Sequence, residues 1–498
     1  MASKVPDYVA SAQPVPREAR SAWYKNTAQT YAGIMLWFVF WFQVPVGEEL
    51  VRDSGISSFA GGTLSQGLVV AFVGLILAAL VCHFLTYLVP GLLGMKTGLP
   101  LYIVGTSTYG VGGGLIMPGF VMGLLQFGWL AVNAFFAGTL LCQPFGVGFP
   151  SVPHAVVATL WAAAGAFVGL KGIKYVARVA TFMPLIPLVI LVVLFVASVG
   201  GLGGFDADKL VAATQAGAVV ADEPVLPAAP LDAVGVIVLL CTYVVGFFMT
   251  AGAAGVDMGM NNRDKRDVQL GGLVGIALVT VVAGGLSLLI VAGAYGGGKA
   301  GTGGVMATTG MMAGLVGESA DSVFMFLLAL AAFPAACFSS FIAANSFKTT
   351  LPNVNPWVSV GLGALVAIVL AVTGWAGDAI RMFKVIGASF GPVCGAMAAD
   401  YLLAGRKWAG PRAGWSPAGW ISWIVGFAVG AVDFIALIPG LEGLGGKVPC
   451  PPVAALIVGF VLYVVLAKAG LQGRVLNTEQ READPGEAAA EAEEATEA

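Results

Sequence analysis

Twelve runs of roughly 20 predominantly apolar residues follow one another along the chain, and that is the length an α-helix needs to cross the ~30 Å hydrocarbon core of a bilayer. They fall at residues 27–47, 65–89, 114–141, 154–170, 175–200, 232–255, 269–295, 321–345, 356–374, 378–403, 418–438 and 450–468, and are called helices 1 to 12. With 58% of 498 residues hydrophobic and only 10% charged, the chain cannot be a water-soluble domain of that length. An all-α membrane protein with twelve transmembrane helices is predicted. Residues 1–26 form a polar N-terminal segment with no secretory signal, and residues 469–498 form an acidic, solvated tail. Net charge is −3, with the acidic excess gathered in that tail, so no nucleic-acid footprint is present. The six cysteines lack any C-x-x-C pairing and read as small core residues.

Positive loops stay in the cytoplasm, so Lys and Arg set the orientation. Placing the N-terminus inside puts about 18 of them in cytoplasmic segments, among them Arg17, Arg20, Lys96, Lys171, Arg263, Lys348, Arg406 and Arg474. About four fall outside, at Arg52, Lys209, Lys299 and Lys447, while Arg381 and Lys384 lie within helix 10. Both termini are therefore expected in the cytoplasm, at the plasma (inner) membrane.

Helices 1 and 6 combine breakers with aromatic and polar residues. Helix 1 runs through Trp37, Phe38, Phe42, Gln43, Pro45 and Gly47, and helix 6 through Gly246, Phe247, Phe248, Thr250, Gly252 and Gly255. Corresponding positions in two five-helix halves are where inverted-repeat transporters unwind a helix around their cargo, so both are expected to be interrupted. Packing of a Gly-rich bundle is the alternative account of the glycines. In helix 3, Gln126, Trp129 and Asn133 are spaced to share one face, forming a polar and aromatic stripe inside the membrane. An amide presents a donor and an acceptor to a heterocycle's edge, and an indole offers a plate to stack on. Bonding to a neighbouring helix is the competing role for such an amide.

The order of several motifs resembles the cytosine permease-like branch of the nucleobase-cation-symporter-1 family. The motifs are Pro14-Val15-Pro16-Arg17, Gly94-Met95-Lys96-Thr97-Gly98, Tyr109-Gly110-Val111, Gln126-Phe127-Gly128-Trp129, Gly246 to Gly252 with Asp257 and Arg263, Gly391-Pro392 and Ala399-Asp400-Tyr401. The resemblance implies a LeuT-type fold, a 5+5 inverted repeat at about 27–200 and 232–403 with two further helices at about 418–468. It implies that Gln126, Trp129 and Phe248 contact a ring-shaped substrate, with Phe247, Thr250, Asn133, Phe38, Phe42 and Gln43 as further pocket candidates. Phe247 stands where the family's cytosine carriers have a small hydroxyl residue. Helix 8, at Cys337 to Ala344, lacks the amide and acidic residues that follow the hydroxyl pair there. Cargo other than cytosine is therefore kept open: a purine, hydantoin, allantoin or a vitamin-precursor ring.

The resemblance further implies that Ser339 and Ser340 ligate a sodium ion together with helix 1 backbone carbonyls near residues 36–42; packing or back-bonding within helix 8 is the alternative role for adjacent serines. A proton is the alternative coupling ion, and no cofactor is expected. Asp257, Asp321 and Asp400 lie near helix ends, as capping or loop-pairing groups do, and His83 reads as a structural residue of helix 2. The expected activity is symport by alternating access, with a small heterocycle, a cation and the lipid bilayer as partners. An enzyme would need paired carboxylates, a His-metal cluster or an activated nucleophile, which two histidines without such spacing do not supply. A transporter-like receptor that binds without flux is the other rival.

Overall fold

Apolar side chains on every face favour helices that are buried in lipid or protein throughout, and the chain takes that course. The computed structural model describes residues 5–26, 34–42, 48–51, 55–171, 182–216, 219–220, 223–224, 229–300 and 308–476. Among these, nine helices are long and apolar enough to cross a membrane: Gly67–Thr97, Thr106–Phe145, Val152–Lys171, Leu185–Gly204, Ala233–Ala253, Lys265–Gly296, Glu318–Thr350, Ala379–Leu403 and Pro451–Lys468. They coincide with helices 2 to 8, 10 and 12. Two shorter apolar helices, Pro356–Val372 and Pro417–Gly430, are helices 9 and 11. The protein is thus a multi-pass helical membrane protein. Two short antiparallel hairpins depart from the purely helical expectation: Glu48–Val51 with Gly55–Ser58, and Val219–Val220 with Glu223–Pro224. Both lie in the connections after helices 1 and 5.

Helix 1 is described only over residues 34–42, as a 3-10 turn at Ile34–Leu36, an α-helical turn at Trp37–Phe40 and a hydrogen-bonded turn at Trp41 and Phe42. Pro45 and Gly47, on which the expected interruption rests, lie outside the described residues. Helix 6 does not unwind at its glycines: Ala233–Ala253 is one helix, and the irregularity comes only at Ala254, before the short helix Gly255–Gly259. The glycines serve close packing instead. A Cβ at Gly246 would come within 2.8 Å of the Phe383 carbonyl on helix 10, and one at Gly252 within 2.6 Å of Thr86 on helix 2. Added carbons at Gly94 and Gly259 would overlap the backbone carbonyls of Val256 and Gly91. Helix 2 and the short helix Gly255–Gly259 therefore meet backbone to backbone.

Helices 3, 4, 8 and 9 pack on one another, helix 6 packs on helix 2, and helix 7 packs on helices 2 and 5. Helix 10 lies against helix 6 on one side and helices 11 and 12 on the other. Wide π turns interrupt helix 2 at Cys82–Tyr87, helix 3 at Leu115–Phe120 and helix 7 at Leu273–Leu278.

The polar N-terminal segment is docked. Val15 donates its N–H to the Gly98 carbonyl at 2.9 Å, Arg20 Nη1 reaches the Met95 carbonyl at 2.7 Å, and Ser21 N–H reaches the Asn261 carbonyl at 2.8 Å. Tyr8 donates its hydroxyl to the Val111 carbonyl, and Asn26 Nδ2 to that of Met258 at 2.9 Å. Arg20 sits at the C-terminal end of helix 2, where the helix dipole favours a cation. Behind helix 10, Arg412 pairs with Asp400 at 2.7 Å, Tyr463 donates to the same carboxylate at 2.8 Å, and both charges are buried.

Candidate binding site

Helix 3 carries Trp129 toward helices 6 and 10, where it joins an aromatic cluster. Its indole N–H donates to the Thr250 hydroxyl at 3.2 Å. Phe247 meets it edge-on with ring centroids 4.9 Å apart, and Phe383 from helix 10 lies at 5.4 Å with planes tilted by 33°. Phe247 and Phe383 are themselves perpendicular at 5.4 Å. Three helices thus converge on one indole. Aromatic contacts of this geometry stabilise by about 0.5–1.5 kcal/mol each beyond the area they bury.

Gln126 is one turn before Trp129 and buried, and among the described residues its carboxamide makes one hydrogen bond, to the Met122 sulfur at 3.6 Å in its own helix. Sulfur is a weak acceptor, so most of the amide's capacity is left for another partner. Asn133 is committed differently. It donates to the Ala332 carbonyl at 3.1 Å and accepts from Trp161 Nε1 at 2.9 Å, tying helix 3 to helices 8 and 4. The structure therefore brings Trp129, Thr250 and Phe247 together, leaves Gln126 one helical turn from Trp129, and turns Asn133 to interhelical bonding.

Phe248 is fully buried and meets Phe247 at 4.9 Å; among the described residues it makes no ring contact with Trp129. Phe42 packs on Phe136 at 4.7 Å, two turns beyond Trp129 along helix 3, or about 10 Å away along the axis. Gln43 lies outside the described residues, as does the side chain of Phe38, whose backbone belongs to the Trp37–Phe40 turn. Phe383 was not singled out from the sequence, because a phenylalanine in a membrane helix is indistinguishable there from core. Only its neighbours Arg381 and Lys384 stand out by charge, and these are paired with Asp378 at 3.0 Å and Asp433 at 2.9 Å.

On helix 8, Ser340 is fully buried and donates back to the Ala336 carbonyl at 3.3 Å, while Ser339 is adjacent and nearly buried. Two hydroxyls and a carbonyl oxygen thus share one helical turn. Gly169 of helix 4 faces that turn, with a Cβ there 2.8 Å from Ser340 Cβ. Among the described residues, no group of three or more His, Cys, Asp or Glu side chains is placed to hold a metal ion.

The acidic residues near helix ends act locally. Asp257 accepts the Leu101 N–H at 2.9 Å, capping the short helix Leu101–Val104, and Asp400 is held by Arg412. Asp257 lies beyond the end of the helix 6 span, and burial pushes its carboxyl up to about 6 while the Leu101 bond pulls it down. Asp321 sits in the first turn of helix 8, and its Oδ1 has no partner among the described residues. His83 packs against the rings of Phe84 and Tyr87, with its Nδ1 unpartnered among the described residues.

The fold resembles that of known symporters. The chain superposes on the inward-facing conformation of Mhp1 with a TM-score of 0.62 and 15% identity, covering 96% of this chain and 97% of that one. It superposes on a closed conformation of Mhp1, a nucleobase-cation-symport-1 family transporter with bromovinylhydantoin bound, with a TM-score of 0.58 and 15% identity over 95% and 97% of the two chains. No protein-family model matches the chain, and no curated protein matches it in sequence. At that identity the likeness shows the fold alone, a LeuT-type fold.

Proposed function

We propose that the protein is a secondary transporter that carries a nucleobase-like or hydantoin-like heterocycle together with a cation by alternating access, without covalent chemistry on the cargo. The observation that carries this reading is the pairing of Gln126 and Trp129: an under-used amide one turn from an indole on which helices 6 and 10 converge. The amide reads a polar edge and the indole supplies the stacking plate. Helices 3, 4, 8 and 9 form one body, and helices 2, 6 and 7 the other that moves against it. The bromovinylhydantoin held by the similar fold supports a ring of that size and polarity. The motif resemblance supports the nucleobase-cation-symporter class.

Sodium is the coupling ion in this reading, held by Ser339, Ser340 and helix 1 carbonyls. The adjacent Ser339 and Ser340 hydroxyls support it, since a hard cation takes hydroxyl and carbonyl oxygens without a carboxylate; Ser340 itself bonds back to the Ala336 carbonyl of its own helix. Replacing both serines with Ala should weaken sodium dependence more than it weakens expression; uptake that follows pH and ignores sodium points to a proton instead. Both termini are assigned to the cytoplasm of a plasma-membrane protein from the Lys/Arg asymmetry.

The deciding experiment is a thermal-shift screen of the purified full chain against nucleobases, hydantoins and allantoin, with and without sodium. A ligand that binds raises the melting temperature in proportion to the logarithm of its concentration above Kd. Stabilisation by a ring in the panel, deepened by sodium, supports the reading. No stabilisation by any ring at millimolar concentration overturns it.

A further inference from the structure

We propose that Tyr243 is a second polar reader of the cargo, its phenol hydroxyl bonding a carbonyl or amino group on the ring edge away from Gln126; this rests on the reading of the Trp129 cluster as the cargo site. Tyr243 precedes Phe247 by four residues and Thr250 by seven, so all three lie on one face of helix 6. Its ring stands perpendicular to Phe383 at 5.0 Å, and Phe383 is the ring laid against Trp129. On its other side it meets Phe40 of helix 1 at 6.3 Å. Tyr243 thus joins the cluster to helix 1.

The side chain is 0% exposed, yet its hydroxyl has no hydrogen-bond partner among the described residues. The other hydroxyl on this face, that of Thr250, is taken by Trp129. Asp378 at the start of helix 10 is bonded to the Arg381 N–H at 2.9 Å and to the Arg381 guanidinium at 3.0 Å, and not to this hydroxyl. A buried hydroxyl left unpaired is costly, and phenylalanine at this position would avoid the cost. The oxygen is useful where a partner arrives from outside the protein. A phenol both donates and accepts, so a ring carbonyl or an amino group suits it equally. A ring on the Trp129 plate would then be read by Gln126 from helix 3 and by Tyr243 from helix 6. Two polar readers select rings with polar groups on two edges, such as a pyrimidine or imidazolidine dione, over rings with one.

The test compares uracil with 2-hydroxypyrimidine, and hydantoin with 2-imidazolidinone, binding to purified full-length wild type, Tyr243→Phe and Trp129→Ala. Tyr243→Phe removes one oxygen and no protein hydrogen bond, so it should melt at or above the wild-type temperature without ligand. It should lose about tenfold in affinity for the diones and bind the mono-carbonyl rings as wild type does. If Tyr243→Phe binds every ring like wild type while Trp129→Ala has lost them, the Tyr243 assignment falls and the cargo site stands. If Trp129→Ala also binds like wild type, or if wild type binds none of the four rings, both fall.

Discussion

The indole N–H of Trp129 donates to the hydroxyl of Thr250 at 3.2 Å, a bond that crosses from helix 3 to helix 6 between the two bodies of the proposed transport cycle. A plate held in this way has its tilt fixed by the opposite helix. Thr250→Val keeps the shape and removes the acceptor, so the bond's net contribution, about 0.5–1.5 kcal/mol, is lost. Ring affinity should fall by up to about tenfold, and Thr250→Ser should restore it. Equal binding by wild type and both variants, measured by titration calorimetry, would show that the bond does not orient the plate.

Gln126→Ala leaves a buried polar edge of the ring without its partner. The expected cost is roughly 1–3 kcal/mol, or about tenfold to a hundredfold in Kd. Trp161→Ala is the control with a stated side effect: it frees the Asn133 oxygen and should lower the melting temperature while leaving ring affinity near wild type. The reverse pattern would move the cargo to the helix 3, 4 and 8 junction.

How much of this was legible beforehand varied with the kind of signal. Continuous apolar runs announced helices 2 to 12, because burial in lipid leaves no other way to satisfy the backbone, although one end of each of helices 2, 3 and 11 differs by about eight residues. Gln126 and Trp129 stood out as a polar pair at helical spacing. Phe383 and Tyr243 did not, since their role comes from which helix lies opposite, and spacing along one helix carries no such information. The glycines of helix 6 misled for the same reason: Gly246 and Gly252 resemble breakers until Phe383 and Thr86 are seen against them. Docking of residues 5–26 was equally hidden, because its bonds are to backbone carbonyls of distant loops.

Asp257 makes stability depend on pH. Its carboxyl titrates near 6 in the folded protein against 3.8 ordinarily, so the folded state holds the proton more tightly. The resulting stabilisation is complete below about pH 4 and is lost as pH rises to about 6, with an upper bound of about 3 kcal/mol. Asp257→Asn keeps an acceptor for the Leu101 N–H and cannot ionise. Melting temperatures between pH 4 and 7 should slope downward for wild type and flatten in this region for the variant; parallel curves would assign the slope to another group.

Arg412→Ala strands the buried Asp400 carboxylate beside Tyr463, which should cost about 3–5 kcal/mol. Adding Asp400→Ala to the same protein removes the stranded charge and should recover part of the loss. Additive melting-temperature losses in the double variant would mean that the two groups do not depend on each other.

A reporter fused after Ala498 and one inserted near Ala300 should lie on opposite sides of the membrane, cytoplasmic and external respectively. Accessibility to a membrane-impermeant label decides it, and same-side placement would break the twelve-span topology.

The backbone contact of helix 2 with the short helix Gly255–Gly259, at Gly91, Gly94, Val256 and Gly259, leaves no cushion of side chains to absorb a displacement. A push delivered to either helix is transmitted to its partner undiminished, as through the two arms of one lever. The compliance then belongs to the wide turns at Cys82–Tyr87 and Leu273–Leu278, where the regular hydrogen-bond ladder is already loosened.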